Sequence, residues 1–198
     1  MRTPRLSVSS CGAVALAAAL AVQARADGAA LSQVRDLDGR RVEALPLGSG
    51  TLVLVFTATD CPLSNRYAPE LQRLRARFAG RGVAFRLVYA DPAETTEAIR
   101  RHLQAFASGE DALRDPGHEL VRLTGATVTP EVAVLAARPG GSRLVYRGRI
   151  DDRAVDLGRI RPAPRVHDLE EVLDALVSGR AVEARTTAAI GCFIAERK

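Results

Sequence analysis

Tryptophan is absent, aromatic residues make up only 4% of the 198-residue chain, and there are three cysteines. So few rings leave no stacking platform for single-stranded nucleic acid, and so few cysteines exclude a small domain held by a disulfide framework. The chain has no Walker-type loop, no dinucleotide-binding glycine fingerprint and no His-Glu-x-x-His helix, which removes nucleotide and metallopeptidase chemistry. Internal repeats, long linkers and charge blocks are missing as well, so a second domain is not expected. What is present suits one globular unit. Hydrophobic residues are 47% and charged residues 26%, enough for a core and unlike a disordered or collagen-like chain.

The formal charge of +5 is inflated by the first 26 residues, which carry Arg2, Arg5 and Arg25 and no acid. Arg2 and Arg5 form a positive n-region, Val14 to Val22 an apolar h-region, and Ala24-Arg25-Ala26 a small-x-small cleavage site before Asp27. The apolar run is too short to span a bilayer comfortably and no stop-transfer pattern follows, so a membrane anchor is the lesser reading. Residues 1–26 are expected to be a signal peptide and residues 27–198 a single exported domain, periplasmic or secreted, with no stable membrane span. The mature count is then 25 Lys and Arg against 23 Asp and Glu, a net of +2. Nothing in that balance calls for nucleic acid. Cys11 precedes the h-region and leaves with it, so Cys61 and Cys192 remain. In an oxidising compartment an even pair can form a disulfide, and a free thiol persists there chiefly where it has a task.

After a turn at Asp36, Asp38 and Gly39 between short edge segments, Leu52 to Phe56 gives five consecutive apolar residues, as in a strand buried on both faces. The run stops at Thr57-Ala58-Thr59-Asp60-Cys61-Pro62, and a helix is expected from Leu63 to Phe78, with Leu71, Leu74 and Phe78 inward. Gly80 and Gly82 end it. Val83 to Ala90 reads as the next buried strand, and Glu94 to Ala107 as a helix with Ile99, Leu103 and Phe106 inward. This β-α-β-α order predicts parallel core strands with helices on the faces. A short helix is expected at His118 to Leu123 after the Asp115-Pro116-Gly117 turn. Val132 to Leu135 and Leu144 to Arg147 flank Pro139-Gly140-Gly141, a hairpin signal, and a last helix opens near Asp168 and ends at Gly179.

Cys61 is the sharpest chemical feature. Where a strand hands over to a helix, unpaired N–H groups and the helix dipole favour thiolate, the form that attacks disulfides, peroxides or a soft metal ion. Pro62 follows directly, and Ser64 places a hydroxyl one turn away. A space-filling or inertly bonded cysteine is the competing reading. Thr129-Pro130 precedes the hairpin. A cis bond there exposes the Thr129 backbone as an edge for a peptide-like partner, whereas on the residues alone an ordinary turn is favoured. Arg66 either favours the thiolate or an anionic partner, or simply faces solvent; Asp60 reads best as a helix cap. Arg147, Arg149, Asp151 and Asp152 read as ordered ion pairs or as a solvated edge. His102, His118 and His167 are too dispersed for a zinc triad.

Together these residues resemble the thioredoxin superfamily, and within it exported redoxin-domain proteins of the alkyl hydroperoxide reductase and thiol-specific antioxidant type. The resemblance is carried by strand, Phe56-Thr57-Ala58-Thr59-Asp60-Cys61-Pro62-Leu63-Ser64, helix, strand, helix, Val128-Thr129-Pro130-Glu131-Val132, hairpin and helix, and covers nearly all of residues 30 to 180. It implies an α/β thioredoxin-like fold with a central mixed β-sheet flanked by helices. It makes Cys61 the nucleophile, puts Ser64 where a dithiol motif has its second cysteine, and matches Thr129-Pro130 to the cis-proline facing the site. Leu54 and Ala58 stand where a typical peroxiredoxin has proline and threonine, and Asn65 where a copper-delivery relative has cysteine.

On that resemblance Cys192 is a candidate resolving thiol, in a tail able to reach back across the domain; a structural staple and an intermolecular disulfide are its alternatives. The expected function is thiol-disulfide exchange or reduction of a small oxidant, with protein or small-molecule thiols, disulfides or peroxide as partners, and no cofactor or resident metal. A peroxiredoxin-like peroxidase is one alternative. A non-enzymatic Cu(I)-binding or delivery protein using Cys61 and Cys192 is another.

Overall fold

The computed structural model describes residues 31–42, 45, 50–107 and 111–194. The expected signal peptide lies outside them, as does the start of the expected domain at residues 27–30. The element order is β1 (Arg35–Asp36), β2 (Thr51–Thr57), α1 (Pro62–Phe78), β3 (Val83–Tyr89), α2 (Thr96–Phe106), β4 (Ala112–Arg114), α3 (Glu119–Thr124), β5 (Val128–Thr129), β6 (Glu131–Arg138), β7 (Gly141–Gly148), β8 (Ala154–Asp156), β9 (Arg159–Ile160), α4 (Asp168–Val177), β10 (Arg185–Thr186) and β11 (Cys192–Phe193). Seven strands form one sheet in the order β1-β4-β3-β2-β6-β7-β10. β2, β3 and β4 run parallel, while β6 is antiparallel to β2 and β7 to β6, so the sheet is mixed.

The central strand explains its own sequence. Val53 and Val55 point to one face, where they pack with Leu63, Tyr67, Leu74 and Phe78 of α1, Ile99 of α2 and Leu169 and Leu173 of α4. Leu52, Leu54 and Phe56 point to the other, against Val34, Leu113 and Leu120. With both faces covered there is no polar alternation, and each such side chain contributes roughly 1.5–3 kcal/mol by leaving water. The hairpin β6–β7 turns at Pro139-Gly140, where Gly140 takes the left-handed φ of +79°.

Several boundaries move for identifiable reasons. α2 starts at Thr96, two residues later than the periodicity suggested, because the Thr95 hydroxyl accepts from the Ala98 N–H at 3.1 Å and caps it. α4 follows His167, which makes no side-chain cap bond, and Asp168 is buried in its first turn, accepting from Arg149 Nε at 2.7 Å. The tail beyond α4 carries two short strands. β10 joins the main sheet beside β7, and β11 pairs antiparallel with β5. No helix among the described residues is long and apolar enough to cross a membrane.

Candidate redox site

β2 delivers the chain into a tight loop, and the loop sets Cys61 at the N-cap of α1 with φ −85° and ψ 105°. Its N–H bonds to the Ala58 carbonyl at 3.3 Å and its carbonyl accepts from Asn65 N–H at 3.2 Å. Pro62 occupies the first helical position, where a missing donor costs nothing. The helix therefore begins at the cysteine itself. No side chain caps it, so Asp60 does not have the capping role expected of it: it stands one residue too early and is exposed.

Across from Cys61 lies the Thr129–Pro130 peptide, which is cis. The Cys61 Sγ–H donates to the Thr129 carbonyl at 3.1 Å. Beside that carbonyl runs β11, in register Cys192 to Thr129 and Phe193 to Val128, and the Thr129 hydroxyl donates to the Cys192 carbonyl at 3.5 Å. The tail has thus crossed the molecule to bring the second thiol to the first. Both cysteines are free, Cys61 with 0% of its surface exposed and Cys192 partly covered.

Their acidities diverge. Burial alone pushes the Cys61 thiol up, but the Ser64 hydroxyl, the Thr129 hydroxyl, the Ser64 amide and the Cys192 thiol stand where they can donate to a thiolate, and together they bring its pKa below the ordinary thiol value. Cys192 moves the other way. Its thiol donates to Cys61, and burial and the negative charge of Cys61 add to that, so its pKa is pushed up to about 11. Of the two thiols Cys61 is therefore the more acidic, and it is the one that yields the attacking thiolate. The Ser64 hydroxyl is buried and has no hydrogen-bond partner among the described residues, so its proton is free to turn toward a sulfur anion at Cys61.

The flanking residues sort by contact. Arg66 is exposed on α1 and is not among the groups that lower the Cys61 pKa. Asn65 Oδ1 meets His102 Nε2 at 2.6 Å, and His102 Nδ1 meets the Tyr89 hydroxyl at 2.8 Å, a buried polar chain behind α1. The cluster expected from Arg147 to Asp152 is ordered: Arg149 pairs with Asp168, Asp151 accepts from the Tyr67 hydroxyl at 2.7 Å, and Asp152 pairs with Arg161. His167 comes within metal-ligand spacing of Glu70 and Glu170, but Arg73 bridges the two carboxylates at 2.7 and 2.5 Å. Glu94 is not the start of α2 but lies before its cap. Its carboxylate instead accepts from the Thr59 N–H at 2.6 Å and so braces the Cys61 loop. The Asp91-Pro92 turn three residues earlier is the local signal that could have located it outside the helix.

The AhpC/TSA family profile matches residues 25–146, more than half of the chain, and that stretch holds Cys61 and the Thr129–Pro130 bond. The chain belongs to the AhpC/TSA family. Among solved structures this redoxin is similar to an uncharacterized conserved protein from Geobacillus kaustophilus, with a TM-score of 0.69 and 23% identity, covering 83% of this chain and 87% of that one. The hypothetical protein SMc02350 from Sinorhizobium meliloti 1021 gives 0.66 and 25%, covering 81% and 88%. The thioredoxin domain of thiol-disulfide oxidoreductase BVU-2223 from Bacteroides vulgatus gives 0.52 and 15%, covering 77% and 99%. These likenesses fix the fold as thioredoxin-like. No curated protein matches the chain. An oxidoreductase role of the redoxin type accords with the family and with the adjacent cysteine pair. Cys192 itself falls beyond the matched residues.

Proposed function

We propose that the protein is an exported thiol-disulfide oxidoreductase in which Cys61 is the attacking thiolate and Cys192 the resolving thiol, residues 27–198 working as one unit once the leader is removed. The observation that carries this reading is the seat of Cys192 opposite Thr129, the residue whose carbonyl takes the Cys61 thiol, with the lower pKa on Cys61. The Cys61 thiolate attacks one sulfur of a substrate disulfide; the S–S bond breaks, half of the substrate departs as a thiolate, and the other half stays bonded to Cys61. Cys192 then loses its proton to the departing thiolate and attacks the Cys61 sulfur, giving the Cys61–Cys192 disulfide and freeing the second half. With a hydroperoxide, Cys61 takes the terminal oxygen as sulfenic acid, an alcohol or water leaves, and attack by Cys192 expels water. An external dithiol restores both thiols. Ser64 and its N–H support the thiolate, the cis Thr129-Pro130 peptide faces the reacting sulfur, and exposed Arg66 is available to an anionic partner.

Intact mass with thiol trapping tests the cycle. The reduced protein is expected to lose two hydrogens and both trappable thiols after one equivalent of oxidant. Cys192→Ser should stall with a mixed disulfide or sulfenic acid on Cys61. Turnover undiminished in Cys61→Ser would overturn the assignment.

A further inference from the structure

β5 has a free edge in the architectural sense: its partner is not the main sheet but β11, the chain's own last described strand. An extended polypeptide disulfide would dock on that same edge, through main-chain hydrogen bonds beside the cis-proline, before its sulfur reached Cys61. The edge is already taken. Cys192 lies opposite Thr129, Phe193 opposite Val128, and the Ile194 N–H donates to the Thr127 carbonyl at 3.0 Å.

The fit of this strand is specific. At Gly191 a Cβ would stand 2.1 Å from the Thr129 carbonyl oxygen and 2.6 Å from its carbon, so the backbones approach as closely as glycine alone permits. The other end of the tail is pinned. Thr187 N–H donates to the Arg147 carbonyl at 3.0 Å and its hydroxyl meets the Tyr146 hydroxyl at 2.6 Å, leaving three residues, 188–190, between the pin and Gly191. A strand tethered so closely faces its edge at a high effective concentration, in the millimolar range for short tethers. Paired, it leaves Cys61 with no exposed surface. A strand of two residues parts readily for an instant, which suffices for a small molecule to reach the sulfur. A polypeptide needs the whole edge vacated.

We propose that residues 191–194 are a built-in strand that reserves the Thr127–Thr129 edge and restricts Cys61 to low-molecular-weight oxidants carrying an S–S or O–O bond, shutting out polypeptide disulfides. The proposal rests on the reading of Cys61 as the reactive thiolate. Gly191 is its specificity-determining residue.

The test follows oxidation of the reduced protein by hydrogen peroxide, glutathione disulfide and insulin, with consumption of the free Cys61 thiol as the rate readout and the Cys61–Cys192 disulfide as the product sought in the unvaried protein. Two variants unseat the strand while keeping both thiols: Gly191→Val through the clash with Thr129, and Ile194→Pro through loss of the bond to Thr127. The unvaried protein is expected to react with at least one small oxidant and about tenfold or more slower with insulin. In either variant the insulin rate should rise by about that factor while the small-oxidant rates stay within about threefold. Peroxide reacting alone, or glutathione disulfide alone, identifies which bond is the source of oxidation. Equal insulin rates in the unvaried protein and in Ile194→Pro, which removes the bond to Thr127 and is checked for an unchanged melting temperature, overturn the proposal. If none of the three oxidants produces the Cys61–Cys192 disulfide, the thiol-pair reading falls and takes this one with it.

Discussion

Cys61 and Cys192 touch one another and yet titrate in opposite directions, and the difference lies in who else donates to each sulfur. As a thiolate Cys61 can receive from Ser64, Thr129 and Cys192, whereas Cys192 only gives. A hydrogen bond to a charged group is worth about 1.5–3 kcal/mol, so Ser64→Ala should slow iodoacetamide modification of Cys61 roughly tenfold at neutral pH and move its pH profile upward. An unmoved profile would mean that the Ser64 hydroxyl does not serve the sulfur. Glu94 is a second residue whose protonation matters. Burial raises its pKa against the bond from Thr59, Asp91 and Asp60 add to the rise, and one carboxylate oxygen has no partner among the described residues. A raised pKa means that the stabilisation is fully present below the unfolded value near 4.5 and is lost as pH climbs through the folded one. Glu94→Gln still accepts from Thr59 but does not titrate, so its melting temperature should gain on that of the unvaried protein from pH 4 to pH 8. A constant gap across that window would refute the assignment. Cys61, Ser64 and Thr129-Pro130 were legible because strand-to-helix handover and proline leave local marks; Glu94 was not, since its partner is 35 positions away.

At the scale of elements, legibility followed length and period. β2, β3, α1 and the β6–β7 hairpin announce themselves through apolar runs, helical spacing or a glycine turn. β4, β8 to β11 and the cap of α3 do not, because two- and three-residue strands have no period and are held by side chains from elsewhere. Asp115 illustrates this. In the sequence it belongs to a Pro-Gly turn, but its fully buried carboxylate accepts from the Glu119, Leu120 and Val121 N–H groups at 2.7, 2.9 and 3.1 Å. It thereby caps α3, whose own preceding residue, His118, turns its ring to the Ala90 carbonyl and caps nothing. α3 leads directly into β5, so this cap also places Thr129. Asp115→Ala should cost about 1–3 kcal/mol by leaving buried amides unpaired, seen as a lower denaturation midpoint, and should loosen β11 on β5. Asp115→Asn, which keeps an acceptor, should recover part of the loss; equal losses in the two variants would show that charge, not capping, is what α3 needs.

For the whole molecule the tail converts a local thiol pair into a long-range link. Cys61 and Cys192 are 131 positions apart, so a bond between them closes most of the described chain into one loop. In the chain-entropy account, closing a loop of about 100 residues removes enough freedom from the unfolded state to stabilise the fold by roughly 4.7 kcal/mol. For a chain of this size that corresponds to a rise in melting temperature on the order of 10 °C on oxidation. The full rise is the upper limit, reached only where closing the bond moves no other part of the native structure. A redox pair that must also reopen for its reductant is expected to give a smaller rise, since native geometry opposes the bond by part of what loop closure contributes. Scanning the oxidised and reduced forms of the unvaried protein, with Cys192→Ser as the unlinkable control, measures the difference directly. A gap of a few degrees together with easy reduction by a dithiol fits the proposed cycle. A gap of the full size in a disulfide that yields to dithiol only after unfolding would make Cys61–Cys192 a staple, and the adjacency of the thiols would then serve stability alone.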